Sequence, residues 1–166
     1  GRTPHGVLAG QVVEQRDLRE EGADVRVSVS KHRELLEILA ACRPTLAIVL
    51  HVNHAHEIDD RVRTVSRALA MAGAVVLNQA VLLAGVNDTV DALEQLSTAL
   101  VEAGIVPYYL HLLDRVDGAA HFDIPERRAR ELLGHLLVRA PGYLAPRLVR
   151  EVAGAPTKIP IAPILP

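Results

Sequence analysis

Strand-like and helix-like segments alternate along most of the chain, and this alternation restricts the fold more than any other feature. Strand-like apolar runs begin near residues 25, 45, 74, 105 and 146. Segments with apolar residues at helical spacing lie between them, so about four and a half strand–helix units follow one another. This pattern predicts an α/β fold with a parallel sheet and right-handed crossovers. An open sheet or an arc of a (β/α) barrel would satisfy it, whereas a complete barrel needs roughly 250 residues.

Local signals predict where several helices begin and end. Asp59 opens a helix that Gly73 closes, and Gly104 closes the next one. We interpret Asn87-Asp88 as the N-cap of that second helix, because asparagine and aspartate accept hydrogen bonds from free amide groups there. Pro125 fits the first turn of the last helix.

Composition excludes several classes of protein. The chain is 49% hydrophobic with a net charge of −2, which fits one soluble domain and argues against nucleic acid as a partner. No apolar run approaches the ~18 residues of a membrane span, so we expect no membrane partner. Cys42 is the only cysteine, which excludes an internal disulfide and is typical of the reducing cytoplasm. A single thiolate also cannot hold an iron–sulfur cluster.

Polar residues gather where the predicted strands end, which is where α/β proteins build their sites. Lys158, one of two lysines, lies in a loop bounded by Gly, Ala and Pro. Its amine could form a Schiff base with a carbonyl cofactor, or it could be an ordinary surface lysine. Asp114 could bind a substrate ammonium or cap a turn. Glu151 could face the same pocket as Lys158 or form a salt bridge with a neighbouring arginine.

Three histidines follow the strand that begins near residue 45. His51, His54 and His56 are close enough in sequence to ligate zinc, which would favour a metal-dependent barrel hydrolase. The alternative is a polar loop whose histidines cap backbone groups.

Several loop motifs, taken together, resemble a known family. NQAVLLAGVND, PYYLHLLDRVDGAAHF and GYLAPRLVRE…KIP are similar to segments of the lysine 2,3-aminomutase family of radical S-adenosylmethionine enzymes. They are most similar to the branch that makes β-lysine for elongation factor P. HVNHAHEID resembles the family's H-x-N-H-x-N-E-I segment, with His56 in place of the usual Asn. The resemblance covers residues 45–160, so we divide the chain into a segment 1–44 and a domain 45–166.

This resemblance implies an isomerase that moves the α-amino group of lysine to the β carbon through a pyridoxal phosphate imine. It also implies a partial (β/α) barrel, S-adenosylmethionine and a [4Fe–4S] cluster held by a C-x-x-x-C-x-x-C loop. That cysteine motif is absent from the sequence, so we expect the carboxyl-terminal half of such an enzyme. A partner would then supply the cluster-bearing half, or the open sheet edge would cause self-association. A non-catalytic remnant that binds a partner half is the other alternative.

The resemblance also implies roles for individual residues. Lys158 would carry pyridoxal phosphate, although Ile159 replaces the family's usual Thr after it. Asp114 and Glu151 would bind the side-chain amine of lysine. His51 and Gln79 would line the S-adenosylmethionine site, with Asn78 in the same motif.

Overall fold

The computed structural model describes residues 37–38, 46–114 and 118–166. Within these ranges, five strands form one sheet in the order β1-β2-β3-β4-β5, and three α-helices pack against it. The strands are β1 (Ala47–His51), β2 (Val75–Val81), β3 (Val106–His111), β4 (Arg147–Arg150) and β5 (Ile159–Pro160). The helices are α1 (Asp60–Met71), α2 (Val90–Glu102) and α3 (Glu126–Arg139). None of the helices in these ranges is long and apolar enough to cross a membrane.

The strand order confirms the predicted α/β class. Strands β1 to β4 are parallel and adjacent in the order of the chain. The predicted strand at residues 25–30 and most of the predicted helix 31–42 lie outside the described residues.

Strand β5 was not predicted, because we expected the last strand to run into an open loop. Instead the chain reverses after β4 and pairs antiparallel with it, with Arg150 opposite Ile159 and Val149 opposite Pro160. Gly154 permits the reversal, since its φ of 81° lies in a region that other residues rarely adopt. Pro160 has no amide hydrogen to donate, which fits a strand of only two residues at the sheet edge.

The helices bury their apolar stripes in one core with one face of the sheet. Leucines at helical spacing on α2 and α3 are buried together with alternate residues of the strands, such as Val76, Leu110 and Leu148. Each fully buried leucine contributes about 1.5–3 kcal/mol relative to an exposed one. On the opposite face, Val49 and Val75 remain 42% and 44% exposed. The helices therefore cover one face of the sheet, and the other face is more exposed to solvent.

Most of the predicted helix ends are confirmed. Asp59 caps α1 by accepting a hydrogen bond from the amide of Val62 at 2.8 Å. Gly73 and Gly104 have positive φ directly after α1 and α2. Pro125 directly precedes α3, one residue earlier than predicted.

The predicted cap of α2 is wrong. Thr89, not Asn87-Asp88, caps this helix by accepting a hydrogen bond from Ala92 at 3.1 Å. Asn87 is fully buried instead and bonds to the backbone of neighbouring loops. The pattern was misleading because a buried asparagine and a capping asparagine look alike in sequence.

Candidate functional site

Side chains from four strands line up across the less covered face of the sheet. His51 lies in register with Gln79, Gln79 with Tyr109, and Tyr109 with Arg147. Registered residues of parallel strands point to the same face, here called the site face. His111, two residues after Tyr109, lies on it as well. The site face therefore collects polar side chains at the carboxyl edge of the sheet, as the sequence predicts.

Lys158 lies in the centre of the polar groups at this edge. The reversal between β4 and β5 brings its ammonium back to Glu151, whose Oε1 accepts a hydrogen bond from it. The same Oε1 is 3.7 Å from Nδ1 of His111. The ammonium also lies 5.8 Å from the centre of the Tyr109 ring, within reach of a cation–π contact.

The structure decides between the alternatives for Glu151. An ion pair with a neighbouring arginine was the simpler expectation, but Arg150 pairs with Glu126 of α3. Glu151 instead faces Lys158, and this hydrogen bond is the main cause that lowers the pKa of its carboxyl group. Glu151 is thus an anion at neutral pH that already holds one ammonium.

The environment of His111 shifts the pKa of its imidazole. Its residue is only 9% exposed. Burial lowers the pKa of its imidazole, and the positive charge of Lys158 lowers it further. The carboxylates of Glu151 and Asp114 act in the opposite direction but do not outweigh these causes. The ring is therefore uncharged at neutral pH.

Asp114 follows β3 and is exposed to solvent. Its charge acts on His111, which places it near the same group of side chains. The structure thus brings Asp114, Glu151 and Lys158 around His111, although their functional roles stay predictions.

The predicted S-adenosylmethionine residues divide between the two faces. The amide nitrogen of Gln79 lies 2.5 Å from Nε2 of His51 on the site face. Asn78 lies on the opposite face and is buried. Its side chain accepts a hydrogen bond from the amide of Val52 at 2.9 Å and donates one to the carbonyl of Val52 at 3.0 Å. Asn78 therefore joins the end of β1 to β2, while His51 and Gln79 face the site.

Two further asparagines, Asn53 and Asn87, form hydrogen bonds that join the loops after β1 and β2. The sequence did not predict these roles. Asn53 accepts a hydrogen bond from the amide of Val81 at 2.8 Å. Asn87 donates to the carbonyl oxygens of Asn53 and Val81 and accepts from the amide of Leu83. The only signal in the sequence is that each follows an apolar strand directly or within a few residues. Together they fix the position of the loops after β1 and β2.

The three histidines do not form a metal site. His54 accepts a hydrogen bond from the amide of His56 at 3.2 Å and caps the short 3-10 helix Ala55–Glu57. His51 faces Gln79 instead. Across residues 46–114 and 118–166, no three His, Cys, Asp or Glu side chains are grouped so that they could hold a metal ion. The metal-dependent hydrolase is therefore not favoured.

Lys158 has an amine that an aldehyde group could bind covalently. Its side chain is 31% exposed, so the amine is held in place yet open to reaction. Tyr109 offers an aromatic face beside it, and Arg147 is the registered neighbour of Tyr109 on the site face. Arg147 could supply positive charge to a phosphate group.

Comparisons with known proteins point to one group of enzymes, although no family model matches the chain. The L-lysine 2,3-aminomutase of Escherichia coli strain K12 is 47% identical over 76% of this chain and 38% of the relative. That of Haemophilus influenzae is 44% identical over 75% of the chain and 37% of the relative. That of Acetoanaerobium sticklandii is 34% identical over 78% and 31%, respectively. The chain therefore spans between 31% and 38% of the length of these curated relatives.

Proposed function

Since this chain belongs to the lysine 2,3-aminomutase family, we propose that it forms the carboxyl-terminal part of an isomerase that moves the α-amino group of lysine to the β carbon. The observation that carries this proposal is the contact between Lys158 and Glu151 on the site face. The resemblance predicts the cofactor lysine and a substrate carboxylate at these two positions. Two residues with complementary roles in one reaction need to lie together, and these do.

The sheet forms an arc of a (β/α) barrel in this proposal. Adjacent strands β1 to β4 follow the order of the chain without reversal, which supports the arc. Three valines on the site face, Val49, Val75 and Val106, are between 42% and 49% exposed. A barrel would place them inside, covered by the remaining strands. The rest of the longer protein, or a partner chain, would supply those strands and the residues that bind the iron–sulfur cluster.

Lys158 would hold pyridoxal phosphate covalently through its amine, with loss of water from the aldehyde. When bound, this cofactor supplies a conjugated ring that accepts electron density while the amino group changes position. The protein orients the reacting amine: Glu151 holds it by a hydrogen bond, and Tyr109 lies below it. Arg147, in register with Tyr109 on the site face, would neutralise the phosphate.

Glu151 and Asp114 bind the distal ammonium of the substrate. While Lys158 is unmodified, its own ammonium occupies Glu151. An amine of Lys158 held by the cofactor as an imine would leave the carboxylate of Glu151 free to accept the ammonium of the substrate. Asp114 adds a second negative charge near His111. Two carboxylates that hold one end of lysine determine which of its carbons faces the reactive groups.

His51 and Gln79 serve the other end of the site. Their contact on the site face supports a joint role in contacting S-adenosylmethionine. This cosubstrate would supply the radical that starts the reaction, with the cluster held outside this chain. His51 and His111 both lie on the site face, on β1 and β3.

The test of this proposal is covalent labelling of Lys158. The full chain is mixed with pyridoxal phosphate, reduced with borohydride and digested, and the labelled peptide is identified by mass spectrometry. The chain offers a matched control, because its only other lysine is Lys31. The label should persist in Lys31→Arg and disappear in Lys158→Arg. A label on Lys31 alone, or no label, would overturn the assignment.

A further inference from the structure

His111 carries a buried polar atom that no described residue satisfies. Its Nε2 has no hydrogen-bond partner within the described ranges, although the side chain is only 11% exposed. Native proteins leave few buried polar atoms without a partner, because each loses its bonds to water. The ring stands edge-on to Tyr109, with centroids 5.8 Å apart, so it is held in one orientation. Such an atom beside a reactive lysine suggests a bond to a ligand.

The carboxylate of Glu151 favours a proton on one nitrogen of His111. Its Oε1 is 3.7 Å from Nδ1, which is too far for a hydrogen bond, but its negative charge favours a hydrogen on that nearer nitrogen. The neutral ring then has an unprotonated Nε2, which can only accept a hydrogen bond.

Burial keeps the ring of His111 neutral, and the titratable groups around it act in both directions. These groups are Glu151 and Lys158 of the β4–β5 reversal, Asp114 after β3, and His51 of β1. Burial and Lys158 lower its pKa more strongly than the two carboxylates raise it. A neutral acceptor can bind an ammonium without repelling it, which a protonated imidazole could not do.

We propose that His111 is a further substrate-binding residue, whose Nε2 accepts a hydrogen bond from an amino group of the amino-acid ligand. This inference rests on the proposed function, because it takes the ligand of the Lys158 site to be an amino acid. His111 lies on β3, between His51 of β1 and the Glu151–Lys158 pair that follows β4. No motif of the sequence assigns this residue a role.

The experiment compares three substitutions of His111 in the full chain. Glutamine places an acceptor near the position of Nε2, asparagine places one near Nδ1, and phenylalanine keeps only the shape of the ring. Binding of L-lysine is measured by isothermal titration calorimetry at pH 7.5. We expect His111→Phe and His111→Asn to bind roughly tenfold more weakly or worse, as for loss of one hydrogen bond to a charged group, and His111→Gln to recover most of the affinity. Equal affinity in all four proteins would overturn the inference.

A second measurement does not depend on the variants folding. In the wild-type protein, the ¹⁵N resonance of His111 Nε2 should shift as L-lysine is added, while Nδ1 shifts less. No shift at saturating lysine, or no binding of lysine by the wild type, would also overturn the inference. The labelling experiment keeps the two proposals apart. A label on Lys158 with no effect of His111 would leave the cofactor proposal intact, and the reverse result would leave His111 as a lysine-binding residue without it.

Discussion

Replacement of Asn87 by alanine should destabilise the protein strongly, even though Asn87 touches no predicted ligand. The residue is fully buried and joins three backbone groups from two loops. Its side chain donates to the carbonyl oxygens of Asn53 at 2.8 Å and Val81 at 2.9 Å, and accepts from the amide of Leu83 at 2.7 Å. Alanine would leave all three groups without this partner in a place that water reaches poorly.

The size of the effect follows from these three bonds. A typical hydrogen bond contributes about 1 kcal/mol net, and a buried group left without a partner costs about 1–3 kcal/mol. Partial relaxation of the loops reduces the sum, so we expect a loss of about 3 kcal/mol. This is a large share of the roughly 5–15 kcal/mol by which a domain is stable.

Urea unfolding of the full chain, followed by circular dichroism, measures this loss as a lower midpoint at unchanged slope. Asp88→Ala is the matched control, because this neighbour makes no side-chain hydrogen bond within the described ranges. It should change the free energy of unfolding by less than about 0.5 kcal/mol. Asn87→Asp keeps the shape but turns an oxygen toward the carbonyls of Asn53 and Val81, so it should be at least as unstable as Asn87→Ala at pH 7. A loss below about 1 kcal/mol for Asn87→Ala, or a stable Asn87→Asp, would refute the reasoning.

Two further predictions concern α3 and His111. A Cβ on Gly134 would overlap the backbone carbonyl of Ile164, so Gly134→Ala should destabilise the chain by about 1–3 kcal/mol despite the better helix propensity of alanine. Gly142→Ala, with nothing within 4 Å, should be neutral in the same urea assay, and equal stability of both variants would contradict the overlap. His111 has a pKa below its ordinary value of 6.5, because of burial and Lys158. Its unfolded form therefore takes up a proton first, and stability is lost as the pH falls below about 6.5. Between pH 7.5 and 5.5, the free energy of unfolding should therefore fall less in His111→Phe than in the wild-type protein. An equal fall in both proteins would show that His111 does not cause this loss of stability.

The fold was predictable where it depends on local patterns. The apolar run that became β1 packs Ile48 and Leu50 against the core, while alternate residues of β2 and the leucine stripes of α2 and α3 are buried. Packing of this kind leaves a recognisable pattern in the sequence. The cap at Asp59 was predictable for the same reason, since it bonds to an amide three residues away. Strand β5 was not, because two residues leave no period, and its pairing depends on a reversal through Gly154.

The sequence indicated several residues of the candidate site but not the contacts among them. The sequence singled out Lys158 and Glu151 but left open whether Glu151 would face Lys158 or pair with a neighbouring arginine, and only the structure shows their hydrogen bond. The sequence did not predict the buried positions or the contacts of His111 and Asn87. A histidine in an apolar strand is more often an ordinary core residue than a site residue. An asparagine before a helix more often caps that helix than joins two loops by hydrogen bonds.

The sequence by itself determined the alternating α/β architecture, the positions of most helix ends and membership in an enzyme family. These properties rest on spacings of a few residues and on motifs that survive in order along the chain. Only the tertiary structure decided that Asn78 is buried against the backbone of Val52, that Asn87 joins two loops, and that His111 is buried beside Glu151 with a lowered pKa. The physical reason is that burial, hydrogen bonds and pKa shifts depend on distances in space, and the groups that set them here come from strands and loops far apart in the sequence.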